Sequence, residues 1–104
     1  MILEVAILQV KDGKEKQFEK DFARAGQFIS AVKGYAGHSL RKCLESKNKY
    51  ILLVDWESLE DHTIGFRQSA QYLEWKKLLH HYYDPFPTVE HYETILENSK
   101  EQDR

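Results

Sequence analysis

Residues 35–56, YAGHSLRKCLESKNKYILLVDW, decide the fold. Tyr35–Leu44 and Lys49–Trp56 are two strand-like runs, and Glu45-Ser46-Lys47-Asn48 between them is a polar loop of hairpin length. The two runs are expected to pair antiparallel. Upstream, Phe18, Phe22, Ala25, Ile29 and Val32 recur at alternating spacings of four and three from Lys14 onward. That rhythm lays one apolar stripe along a helix, which Gly34 stops. Ahead of the helix, ILEVAILQV over Ile2–Val10 reads as a first strand ending at the turn signal Lys11-Asp12-Gly13. Downstream, Ser58 with Asp61 three residues later marks a second helix start, and Ser69 can cap again. Leu59–Gln68 and Ala70–Tyr83 are therefore two helical pieces with a bend between them. Asp84-Pro85-Phe86-Pro87 ends the helix, since proline lacks the amide and restricts its predecessor. Thr88–Ile95 is the last strand.

The order β-α-β-β-α-β places the chain in the α+β class as a ferredoxin-like split βαβ sandwich, one antiparallel sheet with both helices on one face. One domain spans residues 1–96, and 97–104 reads as a charged, flexible C-terminal tail. The strands pose a problem for this arrangement. Leu3, Val5 and Ile7 make one face of the first strand apolar while Ile2, Ala6 and Leu8 make the other so. The third strand repeats the pattern with Tyr50, Leu52, Val54 and Trp56 against Ile51 and Leu53. Two helices cover only one face, and the other exposes more apolar surface than a monomer ordinarily leaves in water. A second copy packed face to face about a two-fold axis is the expected cover, so a homodimer is expected.

The chain has 104 residues, with 15 Lys and Arg against 17 Asp and Glu for a net charge of −2. That length supports one core. Basic residues scattered among acidic ones give no footprint for nucleic acid or an anionic membrane, so neither is an expected partner. A single cysteine, Cys43, leaves no internal disulfide, no multi-cysteine zinc cage and no redox pair, which fits a reducing, cytoplasmic setting. The opening apolar run is too short to span a bilayer and lacks a signal-peptide pattern. His38, His62, His80, His81 and His91 form no metal motif, and no metal is expected. Nucleophile elbows and phosphate-binding glycine loops are absent too.

What remains is the side-chain geometry of the second helical region. On a 100° wheel, His62 falls on the inward stripe beside Phe66. Tyr72, Trp75, Leu78, Leu79, Tyr82 and Tyr83 share one side of the later piece, while His80 and His81 turn toward the polar side, near a helix C-terminus that favours positive charge. Phe66, Tyr72, Trp75 and Tyr82 are more aromatic bulk than a domain this size needs. They either pack a core or wall a flat cavity for a planar, mostly apolar ligand, with His62 as a polar handle. Trp56 and His91 complete the candidate lining. Arg67 reads as a surface ion-pair former.

The run WESLEDHTIGFRQSAQYLEW from Trp56 to Trp75 and the closing strand VEHYETI from Val89 resemble the antibiotic biosynthesis monooxygenase domain family. The resemblance covers Ile2 to about Ile95. It implies a ferredoxin-like protomer paired into a dimeric α/β barrel, and a cofactor-independent monooxygenase acting with O2 on a phenolic, quinol or polycyclic aromatic small molecule. No cofactor is then needed. Many members carry a histidine three residues before the serine matching Ser69; here that residue is Phe66, and His62 stands one turn earlier as the candidate catalytic base. Haem-degrading relatives carry an Asn, a Trp and a His where this chain has Val5 or Ala6, Phe66 and Lys76, so haem degradation is not the expectation. A non-catalytic small-molecule binder is the rival reading. An isomerase would need a second acid-base group, Glu90 or His91, opposed to His62.

Overall fold

The computed structural model describes residues 1–100. Its elements are β1 (Ile2–Gln9), α1 (Glu15–Ile29), β2 (Tyr35–Lys42), β3 (Lys49–Trp56), α2 (Ala70–Leu79) and β4 (Val89–Glu93). A π-helical turn, Asp61–Phe66, precedes α2, and a 3-10 turn, His80–Tyr82, follows it. The sheet order is β2-β3-β1-β4 with every neighbouring pair antiparallel. β3 thus lies between β1 and β2, which is the split βαβ arrangement expected of a ferredoxin-like fold. The alternation of β1 and β3 sorts their residues cleanly. Ala6 and Leu8 join Tyr50, Leu52, Val54 and Trp56 in the core, against Phe18, Phe22, Ala25 and Ile29 of α1. Phe18, Phe22, Ala25 and Ile29 of the stripe read from the sequence are the buried stripe of α1, while α1 ends at Ile29, before Gly34, and leaves Val32 beyond it, partly buried.

The opposite sheet face carries Leu3, Val5 and Ile7 of β1 beside Ile51 and Leu53 of β3 and Tyr92 of β4, as the register places them. Ile7 is 41% exposed and Tyr92 50%. No helix among the described residues is long and apolar enough to cross a membrane.

Several boundaries differ from the sequence expectation for local reasons. β4 stops at Glu93, not Ile95, with Glu93 paired to Ile2, the first residue of β1. α2 stops at Leu79 because the following chain is captured by the end of β1. Lys11 N donates to Tyr82 O at 2.9 Å, and Asp84 N to Gln9 O at 2.9 Å. The first helical piece is a π-helical turn, closed by Arg67 N donating to His62 O at 3.2 Å. The bend at Ser69 is present: its Oγ accepts from Tyr72 N at 3.1 Å and caps α2. Gly34, at φ +86°, lets Asp61 pack where a Cβ would stand. The expected tail follows β4 without regular structure to residue 100, and residues 101–104 lie outside the described residues.

Candidate functional site

The π-helical turn, α2 and the segment from His80 to Val89 roof the β1 and β3 end of the sheet, leaving a cavity of about 380 Å3. Aromatic rings form its walls. Phe66 meets Tyr72 edge-on at 5.2 Å between centroids and Trp75 at 5.7 Å, while Tyr83 and Phe86 close the far side. Leu8, Leu52 and Val89 supply apolar floor, and Glu4, His62, Arg67 and His80 are its polar groups. Such a shape suits a flat aromatic molecule with few polar substituents.

The polar end begins with sheet register. Glu4 of β1 stands opposite His91 of β4, and Trp56 lies on the same inward face from β3. His62 descends on them from the π-helical turn, its ring near-parallel to those of Trp56, at 5.4 Å, and Phe66, at 6.1 Å, which also touch each other at 5.8 Å. Trp56 Nε1 donates to Glu4 Oε1 at 2.9 Å. His62 Nδ1 and His91 Nε2 share a hydrogen bond of 2.7 Å, in which one ring donates and the other accepts. His62 Nε2 lies 3.4 Å from Glu4 Oε1, longer than the usual N–H···O bond. Glu4 is 5% exposed and His62 3%.

Burial governs the charges here. It pushes the Glu4 carboxyl above its ordinary range, against the opposing pull of the Trp56 hydrogen bond and the Arg67 charge. It also pulls His62 down to about 3, with Arg67 and His91 adding to the effect. His91 is lowered by burial and by Arg67. Near neutral pH both imidazoles are therefore uncharged. Glu4 and His91 sit at opposite nitrogens of the His62 ring, so the three side chains do not converge on one point as metal ligands would.

Of the residues expected to line the site, Phe66, Tyr72, Trp75 and His62 do. Trp56 and His91 stand behind His62 and hold its ring without facing the cavity. Tyr82 is a correction: its ring packs on Phe18 and its hydroxyl donates to Asp21 Oδ2 at 2.6 Å, on the far side of α2's end. The 3-10 turn rotates it there. The same change of pitch brings His80, read as a solvent-facing residue, into the cavity wall against Phe86 at 4.9 Å. Arg67 faces the cavity as well, and among the described residues no carboxylate lies within ion-pair distance of it. Glu4 escaped sequence reading, although a lone charge on the inward face of an apolar strand, between Ile2 and Ala6, was the available signal.

The family model described as antibiotic biosynthesis monooxygenase matches residues 1–78. The chain belongs to that family. An uncharacterised Bacillus subtilis (strain 168) protein, YczJ, is 56% identical over 95 residues, covering 91% of this chain and all of the relative. A solved structure from Bordetella bronchiseptica, of the same family designation, is 36% identical with a TM-score of 0.87 and covers 91% of this chain and 97% of that one. SnoaB, a cofactor-independent oxygenase from Streptomyces nogalater, is 22% identical with a TM-score of 0.73, covering 96% and 97% of the two chains. At that identity the likeness to SnoaB is one of fold.

Proposed function

We propose that this protein is a cofactor-independent monooxygenase that oxidises a phenolic, quinol or polycyclic aromatic small molecule with O2, and that it works as a homodimer. The observation that carries the reading is the aromatic-walled cavity with a neutral imidazole, His62, in its wall. Family membership and the shared fold of an oxygenase support it. Phe66, Tyr72 and Trp75 hold the ring of the substrate and exclude water. His62 Nε2 takes the phenolic proton, leaving the electron pair on oxygen. The electron-rich anion passes one electron to O2, and the radical pair recombines with formation of a carbon–oxygen bond. Loss of water from that adduct leaves a quinone and accounts for both oxygen atoms. The apolar sheet face of Leu3, Val5, Ile7, Ile51 and Leu53 supports the homodimer, since a partner sheet would remove it from water.

Oxygen-electrode measurements across a panel of hydroquinones and naphthols, with metal chelated and flavin stripped, test the activity. Uptake with matching quinone formation supports it, and no uptake on any member of the panel sinks it. A second reading, a small-molecule binder without turnover, is favoured by one observation: both nitrogens of His62 already face protein groups. Thermal stabilisation by panel members without oxygen consumption identifies it. An isomerase has less support. His91 lies against His62 rather than across the cavity, and Glu90 is exposed on the other sheet face, in register with Val5.

A further inference from the structure

Glu4 is a buried carboxylate that neither packing nor the reaction above explains. It interrupts the apolar inward face of β1, where its neighbours Ala6 and Leu8 are core residues. Burying a carboxylate among such residues costs free energy unless another group repays it. Its position gives it three relationships at once. Trp56 Nε1 fixes one carboxylate oxygen, His62 Nε2 lies 3.4 Å from that same oxygen, and the carboxyl lines the cavity. On the far side of the His62 ring, Nδ1 bonds His91, and His91 is the partly exposed member of the series. The π-helical turn that delivers His62 into this gap is a backbone form frequent at functional sites.

We propose that Glu4 is a second acid-base group of the cavity and that Glu4, His62 and His91 form a proton chain from the cavity to solvent. The proposal rests on the cavity being the substrate pocket. In the forward step the phenolic proton reaches His62 by way of Glu4: the substrate O–H bond breaks, its electron pair stays on oxygen, and Glu4 takes the proton first. Glu4 then returns it to His62 Nε2 as the Nδ1 proton of His62 moves to His91 Nε2, and His91 releases a proton from its other ring nitrogen to water. Each ring gains one proton and loses one, so both end neutral. Arg67, an exposed cation that lines the same cavity, has among the described residues no carboxylate in ion-pair contact, so it remains to balance the anion left in the cavity.

The test uses the intact chain, an unreactive probe and no oxygen. 4-Nitrophenol is bound under argon to wild type and to Glu4→Gln, whose amide oxygen keeps an acceptor for Trp56. Phenolate absorbance, the infrared band of a protonated carboxyl and proton release to a dilute indicator are recorded together. Wild type is expected to bind the phenolate, gain the carboxyl band, and release about one proton to the indicator only as that band decays. Glu4→Gln is expected to lack the band and to release about one proton for each phenolate bound. A wild type that binds the phenolate without gaining the band, or binds the phenol un-ionised, overturns the chain. If 4-nitrophenol does not bind at all, the aromatic pocket fails. The chain is then judged in the free protein by the imidazole nitrogen resonances of His62. Those resonances are expected to differ between wild type and Glu4→Gln, and identical ones overturn the proposal. Oxygen uptake is scored separately, so an inactive oxygenase with an intact proton balance is recognisable.

Discussion

His62 holds a structural place and, in the proposed mechanism, a catalytic one, and a single substitution separates the two. Removing it takes away the hydrogen-bond partner of His91 and leaves Glu4 to Trp56 alone, which costs about 1 to 3 kcal/mol of stability. If His62 is also the base, His62→Ala lowers turnover per folded molecule by roughly 100-fold or more. Melting curves and rates on one preparation distinguish the two, and unchanged turnover per folded molecule removes His62 from the mechanism. The same residue shapes the response to pH. Its folded value, about 3, lies below the ordinary 6.5, so between those values the unfolded chain binds more protons and stability falls as pH falls. His62→Gln is expected to flatten that acid limb in thermal melts. It does so only in part, since His38, His80 and His91 are also lowered by burial. Glu4 has the opposite sign. Its folded value is raised above 4.5, so the stability it contributes is present below 4.5 and lost as pH rises through the folded value. Glu4→Gln is therefore expected to melt higher than wild type at neutral pH, where the buried carboxylate is most costly, and an equal or lower melting temperature there counts against it.

The π-helical turn and α2 carry most of the cavity, and two small residues hold them in place. Ser69 Oγ accepts from Tyr72 N and donates to Phe66 O at 2.6 Å, tying together two residues of the aromatic wall. Ser69→Ala is expected to cost about 1 kcal/mol, a drop of roughly 4–8 °C in Tm for a domain this size. A calorimetric scan showing no change refutes the cap's importance. At Gly34 an alanine would meet both a left-handed backbone and the Asp61 carboxylate, so Gly34→Ala is expected to destabilise by at least about 1 kcal/mol in urea titration. Asp61→Ala added to it is expected to recover only the steric part. The hairpin, the α1 stripe and the Ser69 bend were legible in the chain because each rests on local periodicity or a capping residue. The π-helical form and the early end of α2 were not. The π-helical turn sets Asp61 against Gly34, and the early end of α2 follows from the end of β1 capturing Tyr82 and Asp84, contacts between residues far apart in sequence.

The whole molecule is a one-sided sandwich with an apolar sheet face left open. Light scattering at micromolar concentration is expected to give twice the chain mass, and a stable monomer refutes the homodimer. Neighbouring residues of β3 separate the two faces. Leu53→Lys, on the open face, is expected to yield a folded monomer, whereas Leu52→Lys, 4% exposed within the core, is expected to prevent folding. Circular dichroism beside the light scattering distinguishes these results.

Sequence alone determined the element order, the split βαβ topology, the inward face of α1 and the inward turn of His62 beside Phe66. Each depends on residues a few positions apart, whose relative direction the backbone geometry sets. Only the tertiary structure decided the chemistry at the polar end of the cavity. Glu4, Trp56, His62 and His91 come from four separate segments, and they meet because β3 and β4 both pair with β1 and the π-helical turn drops between them. Tyr82 and His80 exchanged their expected places for the same reason: the pitch of the last helical turn was set by hydrogen bonds to β1, which no local pattern encodes.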